Sequence, residues 1–325
     1  MTTAFITWVN WQDWAYLSKF LIWKWYRVIW LLKNTKSDIS NLLYFDIQDK
    51  IDFVYWDLSD KNVIEAVIDA NRPDEIYNLW WMTSPWESWD KLDEYVNVNI
   101  SSIINLIDSI KKYSPETRYF QASTSEMFWS SHNEWLQTEE TAFHPTNPYA
   151  VTKLFWYWMT NIFKESHSLY ISNWILFNHE SPIRDIKFVT RKISDWVARI
   201  HLGLADSITL GNIDAKRDWW FAWDFVEAMW LALQQDKPDN YILSTWEIHT
   251  IREFLGIAFN HIWIEDWEQY IKTDPKFNRP INLQNLYWKN DKAQNILGWK
   301  PKMKLDELVR MMVDEDIKRL KKSLQ

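Results

Sequence analysis

Residues 3–14 read T-A-F-I-T-W-V-N-W-Q-D-W. The run from Thr3 to Val9 is short, apolar and β-branched, which predicts a strand. From Asp13 to Trp23 apolar residues recur at helical spacing, which predicts a helix. A strand running into a helix is where doubly wound α/β folds place a glycine-rich turn that cradles phosphate. That turn needs small residues, to bend tightly, to let a ligand reach backbone N–H groups, and to pack helix against strand. Here Trp8, Trp11 and Trp14 stand at spacing three. On this stretch alone two explanations are open: an aromatic stripe on a helix face, or indoles standing where such a chain has glycine.

Composition bears on the choice. The 325 residues hold 26 Trp but only 4 Gly. Average glycine usage of about 7% predicts roughly 23. The chain is 47% hydrophobic and 25% charged, which argues against disorder. A net charge of −8 excludes a nucleic-acid binder that relies on bulk positive charge. With no Cys there are no disulfides, thiolate metal sites or Cys nucleophiles, and a reducing cytoplasm fits. No metal site is expected. Asp13, Lys19, Lys24 and Arg27 interrupt the early apolar run, so neither a signal peptide nor a membrane span is expected.

Outward from the first turn, the pattern alternates. Strands are predicted at Tyr26–Leu32, Ile51–Tyr55, Glu75–Leu79, Arg118–Ser123 and Leu169–Phe177. Helices are predicted at Lys61–Ala70, Val96–Lys112 and Pro148–Ser166. Alternation of this kind builds βαβ units and a parallel sheet, so the fold class is α/β with a doubly wound sheet. From about Asn178 the rhythm loosens into short pieces, ending in a charged amphipathic helix, Leu305–Lys321. This second region reads as a smaller α/β substrate-binding lobe.

Two clusters carry chemistry. Tyr149 and Lys153 form Y-x-x-x-K on the helix from Pro148, and the i, i+4 spacing puts them on one face. A phenol of pKa about 10 is a poor base near neutrality, and a neighbouring ammonium lowers that value. Alone, the pair also matches two unrelated surface residues. Ser123-Thr124-Ser125-Glu126 follows the fifth strand, where open α/β sheets place their ligands. Hydroxyls plus a carboxylate there can hold a sugar and move a proton, and a plain helix N-cap also fits.

At this point the chain resembles the GDP-mannose 4,6-dehydratases. The resemblance rests on R-Y-F-Q-A-S-T-S-E (118–126), P-Y-A-V-T-K (148–153), N-H-E-S-P (178–182), F-V-T-R-K-I (188–193) and L-G-N-I-D-A-K-R-D-W (210–219). It continues through V-E-A-M-W (226–230), I-R-E-F (251–254), Arg279-Pro280 and L-G-W-K-P (297–301), in order over nearly the whole chain. In that family Trp8, Trp11, Trp14, Trp25, Trp56, Trp129, Trp174, Trp220 and Trp246 fall where Gly is usual. The glycine explanation therefore displaces the stripe. Taken literally, indoles in the phosphate loop weaken the cofactor site.

The resemblance implies a Rossmann-type NADP-binding domain over residues 1–177, and a sugar-nucleotide-binding region over 178–325 partly interleaved with it. It implies Thr124, Ser125, Glu126, Tyr149 and Lys153 as catalytic. Tyr149 would take the sugar O4 proton and Glu126 the C5 proton, with loss of water from C6. The cofactor would meet Thr7, Trp8, Asn10, Trp11, Gln12, Asp13, Asp57, Leu58, Tyr149, Lys153 and Arg184. Lys33 and Lys36 after the second strand, with no acid there, favour NADP over NAD. Substrate contacts fall on Ser84, Glu126, Asn178, Glu180, Val189, Lys192, Lys216, Arg217 and Arg279, and Arg191 matches a family position near the ligands. His179 reads as a positioned structural residue. The family has paired Arg where Lys33-Asn34 stands here. Met82-Thr83-Ser84 replaces a usual Gln-Ser-His, Asn282 a usual Glu, and Lys289 a usual Asp. The partners implied are a nucleotide sugar and a second copy of the chain, as homodimer or homotetramer, with no nucleic acid or membrane. Alternatives are a related epimerase or reductase, or an inactive homologue with its cofactor loop blocked by indoles.

Overall fold

The computed structural model describes residues 1–7, 12–32, 34–55, 60–79, 87–128, 137–274, 276 and 290–325. The expectations for Trp8, Asn10, Trp11, Lys33, Asp57, Leu58, Ser84 and Arg279 lie outside the described residues.

The first half runs β1 (Thr3–Thr7), α1 (Gln12–Trp23), β2 (Arg27–Leu32), α2 (Ser40–Phe45), β3 (Ile51–Tyr55), α3 (Lys61–Asn71) and β4 (Glu75–Asn78). It continues through α4 (Glu87–Asp90), α5 (Leu92–Tyr113), β5 (Arg118–Thr124), α6 (Pro148–His167) and β6 (Ile171–Leu176). The second half holds β7 (Asn178–Glu180), α7 (Val189–His201), β8 (Ile208–Leu210), β9 (Lys216–Arg217), β10 (Trp219–Phe221) and α8 (Ala222–Leu233). After these come β11 (Tyr241–Leu243), β12 (His249–Thr250), α9 (Ile251–His261), β13 (Ile271–Thr273), α10 (Asp291–Leu297) and α11 (Leu305–Ser323).

Among the described residues one sheet has the order β11-β6-β5-β4-β1-β2-β3. Every neighbouring pair in it is parallel. Its inner strands bury both faces, as parallel sheets do, while the edge strand β3 leaves Asp52 and Tyr55 exposed. Along β1 and β2 the side chains alternate. Ala4, Ile6, Val28, Trp30 and Leu32 enter the core under α1 and α8. Phe5, Ile29 and Leu31 enter the core under α3 and α5. A third core gathers α7, α9 and α11 around Ile193, Val197, Phe254, Phe259, Val309 and Met312. The edge strand β11 comes from the second half of the chain, so the sheet draws on both halves.

The chain reverses its winding between β1 and β4, since β2 lies on one side of β1 and β4 on the other. That reversal opens a crevice outside the carboxyl ends of the strands, where ligands of this fold class sit. Thr7 and Thr124 both stand at such ends.

Candidate active site

Glu126 sits in a single 3-10 turn, Ser125–Phe128, immediately after β5. Its backbone N–H donates to Thr124 Oγ1 at 3.3 Å. Asn147 is the N-cap of α6: its side-chain oxygen accepts from Ala150 N at 2.8 Å, and Pro148 follows at the first helical position. Asn147 Nδ2 also donates to Glu126 Oε2 at 3.3 Å. One side chain therefore fixes the start of the helix and the carboxylate beside it. Sequence reading did not single out Asn147, although N-P-Y at a helix start was its signal.

Tyr149, two residues on, is buried, with the Thr124 side chain near its phenol. Burial is the largest influence and pushes the phenol above its ordinary value; Glu126 adds to the rise, while Thr124 and Arg184 oppose it. Lys153, one turn further, is fully buried. Its Nζ donates to Ala122 O at 2.8 Å and lies 4.3 Å from the Trp156 ring centroid. Burial holds this ammonium well below its usual range. In the structure burial is the largest influence on the phenol, and Lys153 is engaged by a backbone carbonyl.

Ser123 Oγ, at the carboxyl end of β5, is buried without a hydrogen-bond partner among the described residues. An orphan hydroxyl beside Tyr149 and Lys153 fits a polar cofactor group, so the described residues suit a nicotinamide nucleotide here. The other side of the crevice fits less simply. The Thr7 hydroxyl donates to Asn78 Oδ1 at 2.6 Å, across to β4. The Trp14 indole is buried against β1, its Nε1 donating to Thr7 O at 2.8 Å. Gln12 and Asp13 are buried, and their side chains turn to β7 and the residue after it. What α1 presents toward the crevice is its N-terminal end, with its dipole. Lys36 is exposed beyond the end of β2.

The substrate-side residues divide. Asn178 opens β7 and Val189 opens α7. The buried Glu180 carboxylate accepts from Thr190 Oγ1 at 2.6 Å and lies 3.3 Å from Arg184 Nε. Burial pushes that carboxyl up, with Arg184 opposing. Lys192 Nζ donates to Thr209 O at 2.7 Å. Lys216 and Arg217 form β9, which pairs antiparallel with β12. Arg191 is a correction. Its guanidinium meets Asp316 bidentately, at 2.6 and 2.7 Å, and its Nε donates to Pro182 O at 3.1 Å. It locks α7 to α11 instead of facing a ligand, because a buried guanidinium needs a carboxylate and α11 supplies one.

The doubly wound sheet, with Thr, Glu, Tyr and Lys gathered at the end of β5 and the start of α6, defines a nucleotide-dependent enzyme of the dehydrogenase type. The family model described as GDP-mannose 4,6 dehydratase matches residues 5–312, and the chain belongs to that family. It is 39% identical over 330 residues to GDP-mannose 4,6 dehydratase 1 of Arabidopsis thaliana, covering 98% of this chain and 91% of that protein. It is 38% identical over 339 residues to GDP-mannose 4,6 dehydratase of Homo sapiens, covering 97% and 91%. Among solved structures, a dTDP-glucose 4,6-dehydratase from Bacillus anthracis in complex with NAD superposes with a TM-score of 0.85 at 17% identity, covering all of both chains. RMD from Pseudomonas aeruginosa complexed with NADPH gives 0.82 at 18%, covering 98% of this chain and all of the other. At these identities the structural likeness speaks for the fold alone.

Proposed function

We propose that the chain is a GDP-mannose 4,6-dehydratase that converts GDP-mannose to GDP-4-keto-6-deoxymannose with NADP. The observation that carries the reading is Glu126 beside Tyr149, both tied to the α6 N-terminus through Thr124 and Asn147. A carboxylate in that place is suited to removing a C–H proton next to a ketone. NADP, when bound, supplies a two-electron acceptor that returns what it takes, so the overall reaction is a dehydration without net redox change.

The chain's own residues move the protons. Tyr149 acts as the phenolate that the Lys153 ammonium stabilises, taking the O4 proton as the 4-hydroxyl becomes a ketone, with Thr124 beside it. The ketone acidifies C5–H. Glu126 removes that proton and delivers one to the departing C6 hydroxyl, with Asn147 holding the carboxylate in reach. Lys153, drawn from Ala122 O, holds the nicotinamide ribose. The cation Lys36 supports NADP over NAD. Lys192, Lys216 and Arg217 supply the charge that a sugar pyrophosphate needs. We place the enzyme in the cytoplasm as a homo-oligomer that contacts neither nucleic acid nor membrane. No helix among the described residues is long and apolar enough to cross a membrane.

The test is the mass of the product formed from GDP-mannose with NADP added. Loss of one water with no net NADP consumption is expected. Turnover that survives Glu126→Gln would sink the dehydratase reading in favour of an epimerase or a 4-reductase.

A further inference from the structure

α1 is joined to β7 and to the residue after it by side chains 166 to 169 positions apart. Asp13 Oδ2 lies 2.7 Å from His179 Nε2, and His179 Nδ1 lies 2.7 Å from Phe177 O. Gln12 Nε2 donates to His179 O at 2.5 Å, and Ser181 Oγ donates to Gln12 Oε1 at 2.6 Å. The imidazole stacks on Phe225 with centroids 4.5 Å apart. Asp13 and His179 are 4% and 6% exposed, so neither group is solvated.

The geometry fixes the protons. A carbonyl only accepts, so His179 Nδ1 carries hydrogen. The other nitrogen faces a carboxylate, which also only accepts when ionised. Between a carboxyl and an imidazole the carboxyl is the stronger acid. Both ring nitrogens of His179 therefore face acceptors, an arrangement that an imidazolium satisfies. The charged neighbours are Glu180, one residue along β7, and its partner Arg184; Tyr16, one turn along α1, is neutral. From α8 the ring stacks on Phe225, and Trp220 is the register partner of His179 on β10. Asp13 Oδ1 has no partner among the described residues. An uncompensated carboxylate in the first turn of α1 repels a phosphate brought to that helix end.

We propose that Asp13 and His179 are a positioning pair, in which the His179 imidazolium neutralises Asp13 so that the N-terminus of α1 accepts the cofactor pyrophosphate, while Gln12 and Ser181 hold helix and strand in register. The proposal rests on the NADP reading above. Its first test does not depend on that reading. Nitrogen-15 histidine spectra of the chain, with the His179 signals assigned from His179→Gln, are expected to show both ring nitrogens protonated at pH 8. A neutral ring with Nε2 bare overturns the pair. The second test is NADP affinity by titration. His179→Gln is expected to weaken it by about tenfold, because the carboxylate is left uncompensated. Asp13→Asn/His179→Gln is expected to restore it to within a few-fold. A double variant as weak as the single one overturns the neutralising role. A parent chain that binds no NADP at all counts against the function proposed above, and the spectra still decide the pair.

A second inference rests on backbone alone. After α7, Gly203 takes φ 69° and closes the helix with Gly203 N→Ile200 O and Leu204 N→Arg199 O. After α1, Trp25 takes φ 64° and makes the same two bonds, Trp25 N→Ile22 O and Tyr26 N→Leu21 O. After α9, Trp263 takes φ 64° with Trp263 N→Asn260 O and Ile264 N→Phe259 O. This is the Schellman ending, whose left-handed residue is usually Gly. Trp246 is left-handed too, at φ 73°, so three of the six described non-glycine residues with positive φ are Trp. We infer that the working protein carries glycine at Trp25, Trp246 and Trp263, because a left-handed backbone strains any residue with a Cβ. Peptide masses of the protein isolated from its native source are expected to show Gly at Trp25, Trp246 and Trp263. A tryptophan mass at these positions overturns the inference.

Discussion

Trp263→Gly is expected to stabilise the chain. The indole is 91% exposed, so its removal gives up little burial. Its backbone is left-handed at φ 64°, where a Cβ crowds the following carbonyl at a cost of about 1–2 kcal/mol. Glycine opposes the gain by adding about 0.5–1 kcal/mol of unfolded-state freedom. The net expectation is about 0.5–1 kcal/mol of added stability. Trp25→Gly, 85% exposed and with the same helix ending, is expected to match it, and two such distant sites should add.

The control is Trp263→Ala, which deletes the same indole and keeps the Cβ. Guanidinium unfolding at constant slope reads the difference. Trp263→Gly should exceed Trp263→Ala by roughly 1 kcal/mol. Equal midpoints for the two variants would refute the backbone argument. Trp174→Gly should move the other way. That side chain is fully buried on β6 between Phe120 and Tyr241, and its loss should cost about 3–5 kcal/mol.

Asn147→Ala should lose about 1 kcal/mol through the missing cap and lower kcat with KM little changed. Asn147→Asp keeps the cap but sets a second carboxylate against Glu126, so stability should recover while kcat does not. Arg191→Met should cost about 1.5–3 kcal/mol, less than a stranded charge because Arg319 and Ser194 still hold Asp316, and Arg191→Met/Asp316→Leu should recover part of it, both read from unfolding midpoints. Burial pushes the Asp218 carboxyl from 3.8 up to about 7, although Thr245 N donates to it at 2.7 Å. Folded chains hold that proton longer than unfolded ones, so the site adds no penalty below about pH 4. The penalty grows until about pH 7 and levels off at up to about 4 kcal/mol. Asp218→Asn should therefore raise stability more at pH 8 than at pH 4, and an equal change at both would contradict this.

The sheet was legible in the sequence because it is built from local signals. Each strand from β1 to β6 carries its own apolar, β-branched run, and α3, α5 and α6 their own periodicity, so boundaries predicted from pattern fall within a few residues of those observed. β11 was not legible: three residues in a loosened stretch join the sheet only because β6 offers a free edge. The same divide runs through the site. Glu126 and Tyr149 could be picked out because their motifs are contiguous. The partners that set their behaviour could not, since a spacing says who is near along a helix and not what desolvates them. Lys153 illustrates this, as the helix spacing is right but burial and Ala122 O decide its state. Arg191 illustrates it again, because its carboxylate lies 125 positions away on α11. Tryptophan shows the limit most clearly. At Trp25 and Trp263 the letter stands on a backbone shape that suits glycine, and the side chain does almost nothing. At Trp174 the same letter fills a core. Only φ and burial separate the two cases, and the sequence prints neither.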